Sequence, residues 1–220
     1  MKYINYGSQT IEKNDLLAVQ NALTQRYLTT GPIVSNFEKK FAKYVKAKFT
    51  VASNSGTAAL HMAFNAIGLK KNDNVILPAI NFIAAANICN LIGAKIFFAD
   101  VDYKTGQMTP ETLINCIKKN KIKKLKMFCT MHNGGAPLNF IEFKKIKKKF
   151  NCFLIEDCCH SLGGMYSVKN KEYVGSCKYS DISTFSFHPV KTITTGEGGM
   201  LATNNQVFFK KSRQIGRAHV

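Results

Sequence analysis

Residues 181–200 read DISTFSFHPVKTITTGEGGM, and this stretch decides the fold. Two short apolar strands are predicted at 182–187 and 200–203, and a turn rich in threonine and glycine joins them. One lysine, Lys191, lies in that turn. A lysine amine withdrawn from water can act as a nucleophile, whereas a lone lysine in a loop is ordinarily a solvated charge. The segments upstream indicate whether Lys191 is a nucleophile or a solvated charge.

Upstream of this stretch, strands alternate with helices. Strands are predicted at 49–52, 74–77, 95–99, 125–129 and 152–155, and helices at 12–26, 34–45, 82–92, 110–119 and 140–150, with a further helix after Gly56. Such alternation indicates an α/β fold with a mostly parallel sheet covered by helices on both faces. We find no internal repeat and no boundary between two autonomous domains.

Ligands of such sheets bind beyond the carboxyl ends of the strands. The loop at 53–60, SNSGTAAL, follows the first strand and opens a helix whose free N–H groups suit a phosphate, although an ordinary serine cap has the same pattern. After the second strand, Phe82 is placed to stack on a planar cofactor or to pack in the core.

A third candidate follows the strand at 152–155, where Glu156 and Asp157 precede Cys158, Cys159 and His160. A buried acid is costly unless it is paired, so we expect it to face a cation or a ring N–H. Magnesium and a protonated heterocycle both satisfy this requirement. The seven cysteines form no CxxC pair, so we expect reduced thiols and no metal site.

The chain carries 31 Lys and Arg against 13 Asp and Glu, a net charge of +18. Many lysines fall in 118–126 and 143–150, where Phe143, Ile146 and Phe150 keep the spacing of a buried helix stripe. The lysines then form solvated faces, and we expect neither a nucleic-acid nor a membrane partner, with a nucleic-acid binder kept as an alternative. No apolar run reaches the 18 to 20 residues of a membrane span, so we expect a cytoplasmic protein.

Together, three segments resemble the DegT/StrS family of pyridoxal-phosphate-dependent sugar aminotransferases, which have the aspartate-aminotransferase fold. They are SGTAAL at 55–60, Glu156-Asp157 with His160, and FSFHPVK at 185–191 running into GEGG at 196–199. The similarity extends from about Tyr6 to Arg213. Within the family, His160 and residues 186–195 are most similar to the UDP-sugar 4-aminotransferases of the pseudaminic acid pathway.

The resemblance implies a role for each matching residue. Lys191 is the catalytic Schiff-base lysine, and Asp157 is the partner of the pyridinium nitrogen. The other residues implied to bind the cofactor are Gly56, Thr57 and Ser186 at the phosphate, Phe82 on the ring and His160 beside it. Tyr6 and His188 are implied to contact the substrate. Ala85 and the sequence MHNG at 131–134 depart from the family pattern.

The resemblance also implies the reaction. Glutamate is the expected amino donor, and the expected acceptor is a UDP-linked, N-acetylated 4-keto-6-deoxy sugar for surface or flagellin glycans. A homodimer is the expected assembly. The alternatives are a GDP- or dTDP-linked sugar, a 3-keto sugar or a non-sugar acceptor, and a regulatory member that binds the cofactor without turnover.

We expect residues 1–213 to form the cofactor-binding large domain with an N-terminal helical segment, without the smaller C-terminal domain of such enzymes. Residues 214–220 read like one frame of a sequencing-adaptor oligonucleotide, so we expect a non-native tail there.

Overall fold

A computed structural model of the chain describes Gly7 and residues 9–215. Tyr6 lies outside these residues, so its role at the substrate stays a prediction. Residues 214 and 215 belong to the last helix, and 216–220 lie outside the described residues. The expectation of a non-native tail therefore also stays a prediction.

Seven strands form one sheet, in the order β1-β9-β8-β5-β4-β2-β3. They are β1 (Phe49–Ser53), β2 (Asn74–Pro78), β3 (Lys95–Ala99), β4 (Met127–Met131), β5 (Phe153–Asp157), β8 (Ile182–Ser186) and β9 (Gly199–Thr203). All neighbouring pairs are parallel except those of β9, which runs antiparallel to both β1 and β8. A separate hairpin joins β6 (Met165–Ser167) and β7 (Glu172–Tyr173). The prediction of a mostly parallel α/β sheet is confirmed.

Seven α-helices accompany the sheet in the described part of the chain. They are α1 (Lys13–Leu23), α2 (Pro32–Val45), α3 (Gly56–Ala66), α4 (Ala84–Ile92), α5 (Pro110–Lys119), α6 (Phe140–Phe150) and α7 (Gln206–Ile215). None of them is long and apolar enough to cross a bilayer. Helix α1 buries none of its own residues, whereas α3 buries seven of its eleven.

Alternate residues of the strands point to opposite faces, and both faces are covered. In β4, Met127 and Cys129 pack in the cluster formed by α3, α4 and α7, whereas Phe128 packs with Leu113 and Phe143 of α5 and α6. A third cluster joins α2 to the strands at the β9 side of the sheet. Helices on both faces leave the carboxyl edge of the parallel strands open for a site.

Candidate active site

A cavity of about 540 Å³ lies beyond the carboxyl ends of the parallel strands. Eight of the nine residues predicted for the site line it, and they come from the ends of four strands: Gly56, Thr57, Phe82, Asp157, His160, Ser186, His188 and Lys191. The fold thus brings together residues up to 135 positions apart (191 minus 56).

The first turn of α3 forms one wall of the cavity. Ser55 caps the helix by accepting the Ala58 N–H at 3.1 Å, and the Ala59 N–H is bonded to the Ser55 carbonyl. The N–H groups of Gly56 and Thr57 therefore have no acceptor within the helix, and they lie at the positive end of its dipole. Ser55 is thus the ordinary serine cap of α3, and the two free N–H groups also suit a phosphate, which stays a prediction.

Gly56 is required where three elements meet. A Cβ at this position would lie 2.8 Å from the Ser186 Cβ and 3.2 Å from the Cys159 Sγ. Only the absence of a side chain lets α3 approach the end of β8 and the loop after β5 so closely. The helix start and the Ser186 side chain consequently border the same part of the cavity.

Asp157 is the last residue of β5 and is only 2% exposed. Its Oδ1 accepts the Cys159 N–H at 3.1 Å, which is the one hydrogen bond to this carboxylate among the described residues. A buried carboxylate with so few partners is costly unless another donor or positive charge meets it. The side chain is thus suited to a ligand that carries a ring N–H.

The loop after β8 holds Lys191 by hydrogen bonds within the loop. Its backbone N–H donates to the His188 carbonyl at 2.9 Å. The Phe187 N–H donates to the Gly198 carbonyl, and the Phe187 carbonyl accepts from the Thr194 hydroxyl and the Thr195 N–H. Lys191 is half-buried in the cavity wall and forms no salt bridge with any described residue. Its amine is therefore available to a ligand.

His160 and Cys159 respond to their surroundings in the cavity. Burial, followed by the nearby Lys191 charge, lowers the pKa of His160, and Asp157 opposes this shift. The lowered pKa favours the neutral imidazole, in which one ring nitrogen donates and the other accepts. Burial and the neighbouring Asp157 raise the pKa of the Cys159 thiol, so it is not a nucleophile.

Phe82 lies just before α4 and is 67% exposed, so it is not a core residue. Its N–H is bonded to the Asn81 Oδ1 at 2.7 Å. The ring lines the cavity, where a planar ligand could stack on it.

A buried polar network behind the cavity was not predicted. Glu156 points away from Asp157, and its Oε2 accepts hydrogen bonds from Tyr166 at 2.7 Å, Ser180 at 2.5 Å and Ser183 at 3.0 Å. The His132 Nε2 lies 3.4 Å from the other carboxylate oxygen, Oε1. Burial alone would raise the pKa of Glu156, but His132, Ser180 and Tyr166 together hold it below its ordinary value. An acid inside an apolar strand was the only signal in the sequence.

Comparison with known proteins identifies what this chain is similar to. A sequence model described as the DegT/DnrJ/EryC1/StrS aminotransferase family matches residues 9–219. GDP-perosamine synthase of Escherichia coli O157:H7 is 34% identical over 212 residues, which cover 96% of this chain and 56% of the relative. The UDP-4-amino-4,6-dideoxy-N-acetyl-beta-L-altrosamine transaminase of Campylobacter jejuni 81-176 is 36% identical over 216 residues, which cover 98% of this chain and 55% of the relative.

Similarity to solved structures agrees with the sequence comparison. NtdA from Bacillus subtilis, solved with its bound cofactor PMP, is 28% identical and superimposes with a TM-score of 0.78. The alignment covers 92% of this chain and 45% of NtdA. The chain spans about half the length of the curated relatives it matches.

Proposed function

The chain belongs to the DegT/DnrJ/EryC1/StrS aminotransferase family, and from this premise we propose that it transfers an amino group from glutamate to the 4-keto carbon of a nucleotide-linked 6-deoxy sugar, with pyridoxal phosphate as cofactor. One observation carries the proposal. A single cavity combines the half-buried Lys191, the buried Asp157 and the uncapped N–H groups at the start of α3.

The residues of the cavity fit pyridoxal phosphate. Gly56, Thr57 and Ser186 would hold the phosphate, Phe82 would stack on the ring, and His160 would lie beside it. When bound, this cofactor supplies an electron sink for carbanion chemistry. The sparse hydrogen bonding of Asp157 supports the fit, because the ring N–H of the cofactor would supply the donor that this buried carboxylate lacks among the described residues.

Two side chains of this protein carry the proton chemistry. Asp157 would keep a proton on the ring nitrogen of a bound cofactor, because a buried carboxylate stabilises an adjacent positive charge. The Lys191 Nζ removes the proton from the α-carbon of glutamate and, in the second half of the reaction, delivers a proton to C4 of the sugar. The hydrogen-bonded loop around Lys191 keeps the amine at this place during both half-reactions.

The acceptor in this proposal is a UDP-linked, N-acetylated 4-keto-6-deoxy sugar for surface or flagellin glycans. The Campylobacter relative and the segment from His188 to Thr195 support the UDP sugar, whereas the Escherichia coli relative supports a GDP sugar. We test this with glutamate and a panel of UDP-, GDP- and dTDP-linked 4-keto sugars. The UDP-linked N-acetylated ketone should give 2-oxoglutarate fastest. A tenfold preference for another nucleotide, about 1.4 kcal/mol in transition-state binding, would contradict it.

The same assay separates an enzyme from a regulatory protein that binds the cofactor without turnover. An enzyme forms 2-oxoglutarate in step with the amino sugar. A protein that retains the cofactor but forms no 2-oxoglutarate with any ketone of the panel would be the regulatory alternative.

We also propose a cytoplasmic homodimer. All seven cysteines are free, as in proteins of a reducing compartment. Exposed apolar residues on α1, namely Leu16, Val19 and Leu23, would be covered by a second copy. Sedimentation of the full-length protein should give twice its monomer mass, and a monomer at micromolar concentration would contradict the dimer.

A further inference from the structure

The segment at 132–136, which follows β4, places Asn133 in the cavity wall. The Asn133 side chain is half-buried, and its amide makes no hydrogen bond with any other residue that the structure describes. The backbone around it is, by contrast, tightly held. An uncommitted amide on a fixed backbone is suited to hydrogen-bond a ligand.

Gln107 holds this segment from one side. The residue is 5% exposed, and its Nε2 donates to the carbonyls of Asn133 at 2.8 Å and Ala136 at 3.0 Å. Loss of this amide would leave both carbonyls without that donor, so the segment would be free to shift.

The strand β5 and the loop that follows it hold the segment from the other side. The His132 N–H bonds to the Asp157 carbonyl at 3.2 Å, and the buried His132 ring contacts Glu156. Gly135 has φ of 89°, and a Cβ there would lie 2.7 Å from the His160 carbonyl oxygen. The segment therefore packs backbone against backbone beside His160.

We propose that Asn133 is a specificity-determining residue that hydrogen-bonds a hydroxyl or acetamido group of the acceptor sugar, and that Gln107 is a positioning residue acting through it. This rests on the proposed function. Most of the predicted polar groups of the cavity are matched to the cofactor, His188 is expected at the substrate, and the carboxylates of the amino donor call for a cation. A neutral amide offers one acceptor and two donors, which complements the hydroxyl and acetamido groups of a sugar.

Calorimetric titration of the protein loaded with pyridoxal phosphate tests the proposal without turnover. The probes are UDP-N-acetylglucosamine, GDP-mannose and dTDP-glucose, each compared with its bare nucleotide. In Asn133→Leu, the Kd of the best-bound nucleotide sugar should rise about tenfold, while the Kd of its bare nucleotide stays within twofold. Asn115→Leu, on the exposed face of α5, is the matched control and should change neither.

Gln107→Leu should also raise the Kd of the nucleotide sugar while leaving the Kd of its bare nucleotide unchanged. If Gln107 acts through Asn133, the double variant should bind no more weakly than Asn133→Leu alone. Fully additive losses would overturn the positioning role, and the Asn133 result stands even if Gln107→Leu does not fold.

Two results would overturn the role of Asn133. One is equal binding of the nucleotide sugar by wild type and Asn133→Leu, and the other is a shift of the cofactor's visible absorbance band in Asn133→Leu, which would assign the amide to the cofactor. A wild-type protein that binds none of the three nucleotide sugars would instead contradict the proposed function, and this inference with it.

Discussion

Two adjacent carboxylates on β5, Glu156 and Asp157, have different environments and therefore different chemical roles. Asp157 faces the cavity and its carboxylate accepts a single hydrogen bond from the part of the chain that the structure describes, whereas Glu156 faces the interior and accepts hydrogen bonds from three hydroxyls. The alternation of side chains along a strand separates the two environments. Asp157 is therefore free to serve a ligand, while Glu156 is committed to the protein itself.

At Lys191 we expect covalent retention of the cofactor. Borohydride treatment of the protein incubated with pyridoxal phosphate should fix the cofactor on the peptide that contains Lys191, because this half-buried amine has no carboxylate partner among the described residues. Lys191→Ala should lose the label and about 10²- to 10⁴-fold in turnover. Peptide mapping by mass spectrometry measures this, and labelling of another lysine would contradict the assignment.

Asp157→Asn should keep the fold but weaken cofactor binding and lower turnover by about 10²- to 10³-fold. The amide removes the negative charge that keeps the ring nitrogen protonated, so an electrostatic contribution to catalysis is lost. Absorbance titration and rate measurements test this, with circular dichroism as the control for folding. Turnover at the wild-type rate would show that another acid holds the proton.

Glu156 should make stability depend on pH in the acid range. Its folded pKa lies below its unfolded value, so its contribution is present above the unfolded pKa, about 4.3, and is lost as pH falls through the folded pKa. Glu156→Gln should lower the free energy of unfolding by about 3 kcal/mol at pH 7. Below pH 5 the free energy of unfolding of the variant should fall less steeply with pH than that of the wild type. Urea denaturation between pH 3 and 7 measures both. An unchanged acid slope in the variant would assign the acid sensitivity to other groups.

At the scale of elements, the predicted strands and helices reflect strong periodic patterns, and the differences have physical causes. β4 was predicted at 125–129 and lies at Met127–Met131, because Leu125 packs in the core without belonging to the strand. The hairpin of β6 and β7 was missed, since strands of three and two residues carry no readable alternation. The Glu156 network joins distant parts of the chain, so no local sequence pattern predicts it.

The close contact between the start of α3 and the end of β8 predicts the effect of adding one methyl group at Gly56. Gly56→Ala would place a Cβ 2.8 Å from the Ser186 Cβ, so the helix start has to move away from the end of β8. We expect at least tenfold weaker binding of pyridoxal phosphate, measured by fluorescence titration. Gly7→Ala is the control, because its Cβ would meet Val190 at an ordinary 3.5 Å. Unchanged affinity in Gly56→Ala would show that this close approach is dispensable.

At the scale of the whole molecule, two groups of exposed lysines and the cavity lie at opposite ends of the parallel strands. The exposed lysines at 118–124 precede β4, and Lys145, Lys148 and Lys149 precede β5, so both groups lie toward the amino ends of parallel strands. The cavity lies at the carboxyl ends. A strand of five residues is about 16 Å long, which is about twice the screening length at physiological salt.

The net charge should therefore have little influence on binding of an anionic nucleotide sugar. Replacing Lys145, Lys148 and Lys149 by Glu lowers the net charge from +18 to +12, since each change subtracts two. At 150 mM salt the Kd of UDP-N-acetylglucosamine should stay within twofold of wild type, because groups lining the cavity, not distant lysines, meet the ligand. At 10 mM salt, where screening extends to about 30 Å, the variant should bind more slowly by stopped-flow fluorescence. A tenfold loss of affinity at 150 mM salt would show that these lysines form part of the ligand site.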